Sequence, residues 1–418
     1  MKLRFYNAKI LTPNGIISGE LHTDGARISH IGAGGAQGFD REIDLGGDLI
    51  IPGFKNAHTH TAMTFLRSLA DDLPLAEWLN NTVFPREAKL TEEAVYVFTQ
   101  LGIMEYLTSG ITASFDMYFK LPAYAKANID AGFRTVICGS INDYGGTIEE
   151  IEREYNTYNS LDSLISYQLG FHAEYTTKRE TLEGMARLSQ KYKAPVYTHS
   201  SETAPEVQGC RERYGMTPTQ LFESLGMLEY GGGGFHCVWL DERDMEIIRD
   251  RGLWVVTNPS SNLKLASGIA PLCKMRRAGI TRFAIGTDGA ASNNCLDMFR
   301  EMFLVTGLQK VVENDAAACP AHEVLEMATK GGALAMGLTE CAELTEGSLA
   351  DLAVIDLSQP NMRPLHNIEK NIVYSGSKQN VRMTVVNGRI LYENGAFTTI
   401  DRDDIYKRAE ALAAQICR

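Results

Sequence analysis

The sequence predicts an α/β protein, a (β/α)8 TIM barrel with a small β-sandwich domain built from both chain ends. Three observations predict it. Short β-prone runs end in histidine or aspartate at His58, His60, His199, His236 and Asp288. Eight such runs alternate with helical stretches over residues 48–288. The two ends of the chain add further short strands, too few on either side to fold alone.

At the N-terminus, residues 3–11 and 26–32 read as strands with Gly and Pro turns between them. The barrel strands follow at 48–57, 112–117, 134–139, 166–172, 195–200, 233–237, 253–257 and 282–288. Helical periodicity separates them, for example over 91–109 and 242–251. A barrel of this kind typically takes about 250 residues and gathers its functional side chains where the strands end. Beyond it, 350–356 and 383–391 read as strands, the second pair folded at the hairpin signal Asn387-Gly388. The expected organisation is therefore residues 1–53 and 345–418 forming the sandwich, with the barrel over 54–344 inserted between them and a final helix over 401–417. There is no internal repeat or low-complexity tract.

With 418 residues, 44% hydrophobic and 22% charged, the chain reads as an ordinary globular protein large enough for a barrel and a smaller domain. A formal charge of −12 disfavours binding to a phosphate backbone, so no nucleic-acid polymer is expected as partner. Residues 1–9 lack the apolar core of a signal peptide, and no run approaches the roughly 18 apolar residues of a membrane span. The eight cysteines are scattered without a Cys-x-x-Cys pair, which reads as reduced thiols in a cytoplasmic protein with no membrane partner. Cys237 adjoins His236 but should point to the opposite strand face.

His58-Thr59-His60 follows the apolar run Leu49-Ile50-Ile51-Pro52-Gly53-Phe54. Strand side chains repeat with period two, so both imidazoles face one way and can reach one metal ion. The runs ending at His199, His236 and Asp288 bring further metal-compatible or acid–base groups to the same barrel face.

These residues sit in longer motifs. Pro52-Gly53-Phe54-Lys55-Asn56-Ala57-His58-Thr59-His60, Thr198-His199-Ser200-Ser201-Glu202, His236-Cys237, Asn258 to Gly268 and Gly286 to Asn294 occur in that order. The pattern resembles the amidohydrolase superfamily, specifically its 5-methylthioadenosine/S-adenosylhomocysteine deaminase branch, and spans nearly the whole chain. The resemblance implies that His58, His60, His199 and Asp288 hold one divalent metal ion. Three neutral imidazoles and a carboxylate suit zinc, or iron. It further implies that Asp288 accepts the proton of the attacking water, that Glu202 protonates the ring nitrogen beside the reacting carbon, and that His236 orients the attacking oxygen. Members with two bridged metals generally use a carboxylated lysine at the end of the fourth strand. Here that position reads Gly170-Phe171-His172, and the third strand ends Cys138-Gly139-Ser140, so a mononuclear site is expected.

For substrate, the resemblance matches Glu87 to the carboxylate that holds the ribose hydroxyls and places Trp78 on a loop over the pocket. His172 has two readings, a contact to the substrate ring or a hydrogen-bonded scaffold. His22, His30, His322 and His366 lie away from the strand ends. Members that grip the S-adenosylhomocysteine carboxylate carry arginines near the third strand's end, whereas residues 138–147 contain none. Uncharged 5′ ends, as in methylthioadenosine, 5′-deoxyadenosine or adenosine, become the better fit. The expected partners are this small-molecule substrate and further copies of the chain in a homo-oligomer. Two rivals stay open: hydrolysis of another amino-heterocycle such as guanine, a pterin or an aminotriazine, and a catalytically silent scaffold. Retention of Glu202 argues against the scaffold.

Overall fold

The computed structural model describes every residue except 36, 70, 74–76 and 418. Its strands form two sheets. The chain ends supply β1 (Lys2–Thr12), β2 (Gly15–Asp24), β3 (Arg27–Gly32), β4 (Arg41–Asp44) and β5 (Leu49–Pro52). The barrel then runs through β6 (Phe54–Thr59), β7 (Ile111–Asp116), β8 (Arg134–Cys138), β9 (Ile165–Ala173), β10 (Val196–Ser200), β11 (Gly232–His236), β12 (Trp254–Thr257) and β13 (Phe283–Ile285). After it come β14 (Leu352–Ile355), β15 (Val381–Val386), β16 (Arg389–Glu393) and β17 (Ala396–Phe397).

The end sheet has nine strands in the path β17-β16-β15-β14-β5-β1-β2-β3, with β4 beside β1. β1 has a register break between Phe5 and Ala8, where Asn7 takes a left-handed φ of 52°. Before the break β1 pairs with β4, and after it with β5. A bulge of this kind bends a strand and changes its neighbours. Leu3, Phe5, Leu21, Ile50, Val354 and Met383 pack in the core beneath it.

Consecutive barrel strands pair in parallel from β6 to β13. Ala57, Phe115, Val136, Tyr197, Phe235 and Val256 fill the interior. Such strands are buried on both faces and so read as unbroken apolar runs, not alternating ones. Two sequence boundaries need correction. The run at 48–57 is two strands: β5 belongs to the end sheet and β6 opens the barrel. Gly53 separates them, and a Cβ there would lie 2.1 Å from Thr112 Cγ2. The last barrel strand stops at Ile285, not 288, because residues 286–288 leave the strand to close the barrel.

That closure has its own chemistry. Among the described residues no strand ladder joins β13 to β6. Instead Asp288 N–H donates to His58 O at 2.9 Å. Asn56 and Thr287 exchange two further bonds, at 2.7 and 2.8 Å. Gly286 allows the approach: a Cβ there would come within 2.4 Å of Asn258 Oδ1 and 2.7 Å of His58 N and O.

Outside the barrel, the helix Glu92–Thr108 starts at Thr91, whose hydroxyl accepts Ala94 N–H, with Glu92 and Glu93 favourably placed in its first turn. The final helix Arg402–Ile416, capped by Asp401, packs on it, and Arg408 reaches Glu93 at 3.1 Å. The two sheets are tied by Arg134, at the start of β8, whose guanidinium donates to both oxygens of fully buried Asp351 at 2.6 and 3.2 Å. Asp351 also accepts Asn387 N–H in the β15–β16 turn at 2.7 Å.

Removing one partner of a buried pair leaves an uncompensated charge. Asp351→Asn should therefore lower the unfolding free energy by about 3–5 kcal/mol in denaturant titrations; a loss under about 1 kcal/mol would show that the clamp is not structural.

Candidate metal centre and active site

Three barrel strand ends and the 286–288 segment converge at one point. His58 and His60 come from the end of β6, His199 from β10 and His236 from β11. Ligand atoms of His58, His60 and His199, and of His58, His236 and Asp288, all lie within 4.8 Å of one another in each group. His60 Nε2 is 3.3 Å from His199 Nε2, and Asp288 Oδ1 is 3.6 Å from His58 Nε2 and 3.3 Å from His60 Nε2. His58 and His60 thus share one target, as period two requires.

The outer ring nitrogens are fixed. His60 Nδ1–H donates to Met117 O and His199 Nδ1–H to His172 O, each at 2.7 Å. Both bonds turn Nε2 inward and set its tautomer for metal binding. His58 stacks on Phe235 with ring centroids 3.9 Å apart. It is fully buried, yet neither ring nitrogen has a hydrogen-bond partner among the described residues. An orphaned buried imidazole is costly unless something else takes its lone pair. The donor set therefore fits a divalent metal ion.

Electrostatics agree. Burial, reinforced by neighbouring imidazoles, holds His58 and His199 well below the ordinary histidine value, so both rings are neutral as ligands must be. Burial pushes Asp288 up, but the neighbouring imidazoles of His60 and His236, with bonds from Ser261 Oγ (2.6 Å) and Gly289 N–H (2.7 Å), outweigh it and leave the carboxylate below its usual value. Burial likewise lowers His236, and here Glu202, Asp288 and Asn262 outweigh it, so this ring lies above the ordinary value. Its Nδ1–H donates to Asn262 Oδ1 at 2.7 Å. Its Nε2 has no partner and faces Glu202 Oε2 at 3.8 Å and Asp288 Oδ2 at 3.9 Å. One N–H and two carboxylates thus surround a gap beside the candidate metal position.

Above this floor opens a cavity of about 650 Å³, within the roughly 300–1,000 Å³ of small-molecule sites. Its walls include His172, Glu202, Trp78 and Glu87, so every sequence-selected residue except His58, which lies beneath, lines it. Glu87 accepts from Tyr118 OH at 3.0 Å. Burial pushes it up to about 7, against the lowering effect of that hydroxyl. His172 has a partner, Thr176 Oγ1 at 2.8 Å, and supplies the carbonyl that holds His199. Burial lowers it to about 4. Trp78 is buried, and its indole N–H has no hydrogen-bond partner among the described residues.

Some supporting residues escaped the sequence reading. Glu206 accepts backbone N–H groups of Ser201, Glu202 and Thr203 and so sets the turn carrying Glu202. Its signal was present as Thr203-x-x-Glu206, a capping-box pattern. Ser261, Asn262 and Ser267 lie in the quoted motif but had no assigned task; they bond Asp288, His236 and Glu202 respectively. Tyr118 carried no signal.

Residues 49–391 match the amidohydrolase family. The chain belongs to that family. A 5-methylthioadenosine/S-adenosylhomocysteine deaminase of Dictyoglomus thermophilum is 40% identical, over 91% of this chain and 90% of its own. A 5′-deoxyadenosine deaminase of Methanothermobacter thermautotrophicus is 37% identical over 98% and 97%. The solved structure of an adenosine deaminase from Xanthomonas campestris with bound zinc superposes with a TM-score of 0.93, at 30% identity, covering 99% of this chain and 98% of that one. As an amidohydrolase the chain is a barrel hydrolase whose site fits a metal. No helix among the described residues is long and apolar enough to cross a membrane.

One cluster of this kind predicts one tightly held divalent ion per chain by elemental analysis of purified protein, lost together with activity on exhaustive chelation. Two ions per active chain would contradict a mononuclear site.

Proposed function

We propose that this amidohydrolase deaminates adenosine-type nucleosides to the inosine analogue and ammonia, using one ion, zinc by preference, held by His58, His60, His199 and Asp288. The observation that carries the reading is the convergence of Glu202 and Asp288 on His236 Nε2 beside the ligand cluster, at the floor of a cavity whose wall presents Glu87. The related deaminases named above support it.

A bound divalent ion would lower the pKa of a coordinated water from about 15.7 towards 7. The carboxylate of Asp288 divides its work: Oδ1 faces the imidazoles, while Oδ2, held by Ser261, faces the gap and accepts the water's proton. His236, whose two carboxylate neighbours favour its protonated form against the effect of burial, points Nε2–H at the oxygen as negative charge develops on it. Glu202, steadied by Ser267 Oγ at 3.1 Å, delivers a proton to the purine nitrogen next to the reacting carbon. The exocyclic amine then leaves as ammonia after taking the proton held on Asp288, while the hydroxyl proton of the intermediate returns to Glu202 and the carbonyl forms. A deaminase requires this pair of acid–base carboxylates, and a silent scaffold does not.

Glu87, on the cavity wall, accepts hydrogen bonds from the ribose 2′ and 3′ hydroxyls. The described cavity wall contains one lysine, Lys120, and no arginine, while Glu150 and Glu154 add negative charge. A carboxylate-bearing 5′ group would lack a bidentate partner there, so neutral 5′ ends are favoured.

Three outcomes test the reading. Glu202→Gln should keep the ion but lower kcat by about a hundredfold or more; near-normal turnover would remove Glu202 from the mechanism. In ammonia-release assays kcat/KM should be far higher for nucleosides than for adenine, because the free base forgoes the ribose bonds to Glu87, and higher for methylthioadenosine than for S-adenosylhomocysteine. Preference for adenine would overturn the nucleoside assignment. Finally, because Glu87 is neutral below about 7 and an acceptor-only carboxylate above it, the nucleoside KM should fall as pH rises through that value, and Glu87→Gln should remove the dependence. A KM flat across that range in the wild type would take the ribose away from Glu87.

A further inference from the structure

His60 is flanked by two threonines whose hydroxyls meet on one phenol. Tyr106 OH lies 2.7 Å from Thr59 Oγ1 and 2.8 Å from Thr61 Oγ1. Thr59 Oγ1 also donates to the backbone carbonyl of Asp288 at 3.0 Å. Thr61 anchors the other side, its hydroxyl and its N–H both donating to Asp116 Oδ2, the latter at 3.0 Å. All of these groups are buried, and Tyr106 is fully enclosed. Tyr106 belongs to the helix Glu92–Thr108, outside the barrel wall. The network therefore reaches from that helix through the residues on both sides of His60 to Asp288.

Its position is what makes it informative. His58 and His60 come from β6 and Asp288 follows β13, so the candidate ligands sit astride the one seam where no ladder fixes strand register. His60 Nδ1 is held by Met117 O, and the backbone on either side by Met117 N–H to Thr59 O at 3.1 Å and Thr61 N–H to Asp116 Oδ2 at 3.0 Å, but none of these bonds reaches Asp288. Elsewhere in the barrel a ladder would do this. Here the phenol adds to the closure bonds described above: its one hydrogen serves the two threonine oxygens flanking His60, whose own hydrogens go to Asp288 O and to Asp116. We propose that Tyr106 is a positioning residue for the metal centre, which sets the His60-to-Asp288 separation across the barrel seam and so sets affinity for the ion. The proposal rests on the metal reading above and touches neither substrate nor reacting atoms.

Partners of this outer kind typically change metal affinity by about 10–100-fold when lost. Tyr106→Phe keeps the ring and deletes only the clasp. In competition against a chromogenic chelator with Zn²⁺, it should bind the ion at least about tenfold more weakly than wild type. With Co²⁺ as probe, its visible d–d spectrum should shift, reporting altered ligand geometry. Thr306→Val controls for loss of a buried hydroxyl as such: Thr306 is fully buried and donates to Cys319 O at 2.8 Å away from the site. It should lower the apo-protein's Tm without changing ion affinity or the Co²⁺ spectrum. Wild-type affinity and spectrum in Tyr106→Phe would overturn the positioning role, as would an equal loss of affinity in Thr306→Val. Failure of the wild type to bind either ion would instead overturn the metal reading on which the proposal stands.

Discussion

The closure of the barrel between β13 and β6 is the constraint on which the site depends. Seven of the eight strand contacts are ladders, whose register follows from backbone pairing. The eighth is assembled from Asp288 N to His58 O, the Asn56–Thr287 exchange and the fit of Gly286 against β6. Without that fit Asp288 would not stand within 3.6 Å of His58 and 3.3 Å of His60. Two non-glycine residues of the site also take left-handed conformations: Asp288 with a φ of 59° and His236 with one of 73°. Non-glycine residues in such conformations cost of order 1–3 kcal/mol and persist where surrounding bonds over-determine them. Gly289, Ser261 and Asn262 supply those bonds.

Burial then gives each titratable group a different task. Neutral His58 and His199 offer lone pairs, whereas His236, equally buried, is pulled the other way because two carboxylates face it. The distinction is one of neighbours, not of residue type. It separates groups suited to hold an ion from a group suited to stabilise developing negative charge. Glu87 shows the same logic on the cavity wall: burial raises its carboxyl, and the Tyr118 phenol that donates to it offsets this only in part.

Much of this was legible in the sequence, for identifiable reasons. His58 and His60 were readable because strand periodicity forces both to one side. His199, His236 and Asp288 were readable because each closes a short β-prone run. The helix 242–251 was placed without error because an Asp241 cap and apolar spacing both mark it. What failed was local. The run at 48–57 looked like one strand because hydrophobicity continues through the change of sheet, and only the crowding at Gly53 reveals the break. The run at 282–288 looked longer than β13 because Gly286 and Thr287 serve closure, a tertiary need with no periodic trace. Tyr106 and Tyr118 were invisible for the same reason: a buried tyrosine on a helix reads as core until its hydroxyl is seen to have a partner.

The central claim is that one ion, two acid–base carboxylates and a ribose-holding glutamate act on a nucleoside within a single cavity. A crystal structure with a purine nucleoside analogue bearing a tetrahedral hydroxyl at the reacting carbon, collected at a metal absorption edge, tests it most directly. The account predicts a single anomalous peak about 2.0–2.2 Å from nitrogens of His58, His60 and His199 and an oxygen of Asp288. The analogue's hydroxyl should contact His236 and Asp288, its adjacent ring nitrogen Glu202, and its ribose diol Glu87. Two metal peaks, or a ligand bound with its ribose away from Glu87, would contradict it.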